Sequence, residues 1–148
     1  MPLFKRREQA PDLAQLRQEC REFIRQLPLT DPDEDWIPTA IYYGADGPGV
    51  VAFNLDADHI AEALEEWLEE NQVKAWGFWR TAWMVLADDA DAAPGVRPAE
   101  HPSRFEALLL SLHAADKSAI ELARVERREN APPTLGDWEI QDEKSWTS

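Results

Sequence analysis

Asp88, Asp89, Asp91, Glu100, His101 and Arg104 fall within residues 88–104 and are the chain's best set of groups for chemistry. Clustered carboxylate oxygens with one imidazole are a ligand set that a divalent cation accepts. Alternatively, His101 oriented by Glu100 or Asp89 has the parts of a general base. The spacing matches no metal or triad signature, so no catalytic or metal site is assigned. The nearest candidates are His101, Asp89, Glu100 and Arg104 for catalysis, and Asp88, Asp89, Asp91 and His101 for a metal. With three histidines and one cysteine the chain lacks the ligand set of a structural zinc site. No serine or cysteine stands in a G-x-S-x-G pattern. No cofactor is expected.

A second constellation points to binding. Glu62, Glu65, Glu66, Glu69 and Glu70 share the outer flank of one helical pattern, and Trp76 and Arg80 follow in the next apolar run. The chain has seven tryptophans, the residue most enriched at binding hot spots, although core packing claims most of them. Arg80 interrupts an apolar run, and a neighbouring carboxylate is its expected partner.

The net charge of −14 is uneven. Residues 1–30 carry six basic against four acidic groups, whereas residues 31–148 carry nine against 25. So acidic a surface repels nucleic acid and anionic membrane, and it suits a basic protein partner. Solubility alone explains the same excess.

Other patterns fail on inspection. Asp31, Asp33 and Asp35 resemble the opening of a calcium loop, but Trp36 stands where glycine is required and Tyr42 where the bidentate glutamate belongs. The glycines of residues 44–49 are followed by neither a helix nor Lys-Ser/Thr, which excludes a phosphate loop. Cys20 lies in an apolar stripe with no histidine near it, so it reads as a small buried hydrophobe.

The elements that position these groups follow from periodicity. Residues 12–27 place Leu13, Leu16, Cys20, Phe23, Ile24 and Leu27 on one helical stripe, with Asp12 as cap, Pro28 as stop and arginines outside. Residues 29–35 read as a solvated acidic linker. Residues 37–43 and 50–55 make a hairpin about the glycine loop, and a helix capped by Asp58 follows. Residues 73–87, with Trp76, Trp79 and Trp83, form a strand apolar on both faces and central to the sheet. The two helices are placed together on one face of it.

Residues 88–103 form a long loop. Residues 104–128 read either as a helix opened by Ser103 and Glu106 or as a second hairpin, and pairing for the tryptophan strand favours the hairpin. Beyond it, Leu135 and Trp138 clip back on the core and Trp146 is loose. Ala82–Met84 followed by His101–Glu106 resembles small bacterial or phage-borne proteins of unknown function, a likeness that implies no activity.

The expected fold is α+β: a mainly antiparallel sheet of hairpin, central Trp-rich strand and second hairpin, packed with two helices. Residues 1–148 make a single domain, with 1–10 and 141–148 as flexible tails. The N-terminus has positive charge without an apolar stretch after it, so a cytoplasmic protein is expected. The favoured role is non-enzymatic: an adaptor, inhibitor or immunity-type module that engages another protein through an acidic, tryptophan-bearing surface. Nucleic acid and membrane are not expected partners, and self-association is left open. The alternatives are a small metal-assisted hydrolase built on residues 88–104 and a structural subunit of a larger assembly.

Overall fold

A computed structural model of the protein describes residues 11–27, 29–53, 57–85 and 100–145. Helix α1 (Leu13–Gln26) begins where Asp12, in extended conformation, accepts the Gln15 N–H at 2.9 Å. The Leu13 N–H, another free donor of the first turn, is taken by Asp116 Oδ1 at 3.1 Å. Thus a turn far along the chain pins the helix start.

Six strands follow: β1 (Thr39–Gly44), β2 (Gly47–Ala52), β3 (Ala75–Met84), β4 (Phe105–His113), β5 (Lys117–Arg128) and β6 (Ala131–Ser145). Helix α2 (Ala57–Glu70) stands between β2 and β3. All neighbours pair antiparallel in the order β2-β1-β3-β4-β5-β6. The protein is therefore mixed α+β with the sheet dominant.

The first hairpin turns more tightly than its glycine content suggests. Gly44 pairs with Gly47, and only Ala45 and Asp46 lie between the strands. Gly47 sits at φ +100°, which an L side chain rarely adopts. Residues 104–128 form strands β4 and β5, not a helix, and Ala114 N–H closes their turn on the Lys117 carbonyl at 2.8 Å.

The helices lie on opposite faces of the sheet, not together on one. Leu13, Leu16, Cys20 and Ile24 of α1 cluster with Ile41, Tyr43, Ala75, Trp79, Leu108, Leu110 and Leu112. Ile60, Leu64 and Trp67 of α2 meet Ala40, Val51, Trp76, Phe78 and Phe53. Alternation along the strands explains the split, because successive side chains leave β3 in opposite directions and both directions are apolar. Tyr42 and Phe53 meet the Trp67 ring edge-on, with centroids 4.5 and 6.0 Å away.

Close approach of α1 depends on Gly77. A Cβ there would stand 2.3 Å from Cys20 Sγ and 3.0 Å from Leu112 Cδ2. The Cys20 thiol is buried, and burial pushes its pKa up and keeps it protonated.

Residues 29–36 are not a free linker. Arg127 donates to both oxygens of Glu106 at 2.6 and 2.9 Å, to the Pro32 and Glu34 carbonyls at 3.2 and 3.1 Å, and to Asp35. Those contacts, the Glu106 hydrogen bond first, raise the Arg127 pKa. Glu34 in turn accepts from the Thr30 hydroxyl at 2.8 Å and from the Thr30 and Asp31 amides at 3.1 Å, which hold its carboxyl below the usual range. Trp36 is buried as a result of this docking.

Candidate functional site

On α2, Glu62, Glu65, Glu66, Glu69 and Glu70 are all exposed. None of the five forms an ion pair among the described residues. The pattern explains the placement: Ile60, Leu64 and Trp67 take the sheet side, leaving the carboxylates to water. The last turn carries no basic residue, although a cation there would be favoured by the helix dipole. Asn71 Nδ2 caps the Trp67 carbonyl at 2.8 Å instead.

Trp76 and Arg80 belong to the face of β3 that α2 covers, so the sheet brings all seven of these residues to one side of the molecule. Trp76 is half-buried and stacks on His113 at 5.8 Å. Arg80 is half-buried opposite Leu109. The carboxylate expected beside Arg80 is absent among the described residues. Register places apolar Phe78 and Ala82 along its own strand, and Leu109 on the next, where an acidic partner would have to be.

The residues considered for catalysis divide. Asp88, Asp89 and Asp91 lie outside the described residues, as do residues 1–10 and Trp146. Glu100 is exposed, while His101 is buried at 3% exposure. The His101 Nδ1 accepts the Ser103 N–H at 3.0 Å, and its carbonyl accepts from the Arg104 amide and guanidinium at 3.2 Å. Its Nε2 is buried with no partner among the described residues. Nδ1 is thus engaged in holding its own turn. Arg104 lies 5.1 Å over the ring of Trp83, which is 45% exposed. Among the described residues no group of three or more His, Cys, Asp and Glu could hold a metal ion.

The other face holds a constellation that sequence reasoning passed over. Arg17, Arg21 and Arg25 repeat every fourth residue along α1, which aligns them on one flank. Glu121 of β5 is fully buried beneath them. It accepts from Arg17 Nε through one oxygen and, through the other, from Arg21 Nε at 3.1 Å and from Arg21 Nη2. Arg17 Nη2 continues to Glu143 of β6 at 2.7 Å. Burial works to lower the Arg17 pKa, but hydrogen bonds and charge from Glu121 and Glu143 outweigh it and raise the value. Arg25 pairs with Glu22, whose carboxyl is thereby held below the usual range.

These arginines form one wall of a cleft of about 680 Å³ between α1 and the first half of β6. Trp36, Leu29, Leu135 and Trp138 supply its apolar surface, and Arg21 lies 5.5 Å over the Trp138 ring. The sequence signals were the fourfold arginine spacing and a lone glutamate inside the run Ala119–Ala123. A buried carboxylate demands a cation, but the pattern does not say which.

No protein-family model matches the chain, and no curated protein or solved structure is similar to it. Among the described residues no helix is long and apolar enough to cross a membrane.

Proposed function

We propose that the protein is a non-enzymatic binding module, of adaptor, inhibitor or immunity type, whose acidic α2 side engages a basic protein. The observation that carries this reading is the row of five exposed glutamates on α2, unpaired among the described residues, on the same side as half-buried Trp76 and Arg80. Carboxylates without internal cations project their field into solvent and steer a partner of opposite charge. Trp76, an aromatic surface beside the charges, supplies the apolar anchor that such interfaces concentrate. Arg80 provides one unneutralised donor for a carbonyl or carboxylate of the partner.

The test uses a partner recovered from the native host and identified by mass spectrometry. Reversal of charge in the Glu65→Lys, Glu66→Lys, Glu69→Lys triple variant weakens its binding at least about tenfold at low salt and flattens the salt dependence. Unchanged affinity at 50 and 300 mM salt excludes this face. The hydrolase alternative predicts a rise in thermal midpoint with Mg²⁺, Mn²⁺ or Ca²⁺, since a bound ligand stabilises the folded state. No observation on the described residues favours it.

A further inference from the structure

We propose that the cleft between α1 and β6 is a binding site for a small aromatic anion, on the side of the sheet opposite the α2 surface. Its volume of about 680 Å³ lies within the range of small-molecule sites and suits a ligand of two or three rings. The charged groups lining it are three arginines, Arg17, Arg21 and Arg25, against one glutamate, Glu22. Counting Glu121 and Glu143, which pair with Arg17 and Arg21, cations and carboxylates balance here, in a chain whose net charge is −14. The apolar part of the lining is partly aromatic, through Trp36 and Trp138. The combination matches a ring system carrying one carboxylate, sulfonate or phosphate group.

Preorganisation separates this cleft from an ordinary surface ion-pair array. Glu121 is fully buried and engages only Nε of Arg17, and Nε and Nη2 of Arg21. Arg17 also gives Nη2 to Glu143, and among the described residues Nη1 of both arginines has no hydrogen-bond partner. The carboxylate beneath holds both guanidinium groups, and Arg21 also lies 5.5 Å over the Trp138 ring. A ligand anion therefore meets donors whose side-chain freedom is already lost, which removes a cost that flexible arginines impose on binding. Arg25, with its side chain 75% exposed, stands at the rim and attracts the anion.

The probe is 1-anilinonaphthalene-8-sulfonate, with neutral N-phenyl-1-naphthylamine and inorganic sulfate standing for its two halves, followed by calorimetry and tryptophan fluorescence on the whole chain. The expected result is one saturable sulfonate site per chain, with each half binding about tenfold or more weakly. Arg25→Gln touches only an exposed pair, so its fold is safe, and it weakens the probe about three- to tenfold. Trp138→Leu, checked for native circular dichroism, weakens it comparably. The proposal is overturned by absence of a saturable site, by equal affinity for the neutral compound, or by unchanged affinity in Arg25→Gln with native fold.

Discussion

Glu121 shows how one residue joins distant parts of this chain. Fully buried on β5, it takes two arginines from α1, the nearer in sequence being 100 residues away. A buried ion pair contributes little net stability, because desolvation offsets the attraction, but removing one member leaves the others uncompensated. Glu121→Gln should therefore cost roughly 3 kcal/mol in urea denaturation, and a loss below about 1 kcal/mol contradicts the packing described. Gly77 and Cys20 work by the opposite means, contact without charge: the missing Cβ admits the thiol. The buried role expected of Cys20 was legible from its place in the apolar stripe. Glu121 was legible only as an anomaly, since its partners lie far away in sequence.

At the scale of elements, periodicity carries furthest where burial is one-sided. Both helices stand close to where their stripes place them, and Asp12 caps the first. The end of α2 depends on a less favourable choice. Gln72 adopts φ 51°, its N–H reaches the Glu69 carbonyl at 3.3 Å, and Val73 N–H reaches Leu68 at 3.1 Å. This is a glycine-type helix stop occupied by a residue with a Cβ. Gln72→Gly should stabilise the protein by about 0.5–1 kcal/mol, read as a rise in urea midpoint at constant slope. A lower midpoint would mean that Gln72 is not in the left-handed region. Strand β6 is masked in the sequence for a physical reason. Pro132 and Pro133 break a strand pattern, and the exposed residues beyond look like a tail. An edge strand tolerates both, because one side of its backbone needs no partner, and Pro48 stands likewise on the opposite edge.

At the scale of the whole molecule, the two faces of the sheet differ in how their charges are partnered. The α2 side carries carboxylates with no ion pair among the described residues, whereas the α1 side gathers arginines over a buried glutamate and beside a cleft. Composition revealed the acidic excess but not this segregation, which arises only when the sheet sends the two helices to opposite faces. Near-equal apolarity on both faces of β3 allowed either arrangement. Hydrogen exchange of the protein alone and in complex with its captured partner tests the central claim most directly. Slowed exchange is expected along Ala57–Glu70 and at Trp76–Arg80, with Leu13–Gln26 unchanged and the effect fading at 300 mM salt. Protection confined to α1 or β6, or indifferent to salt, would contradict it.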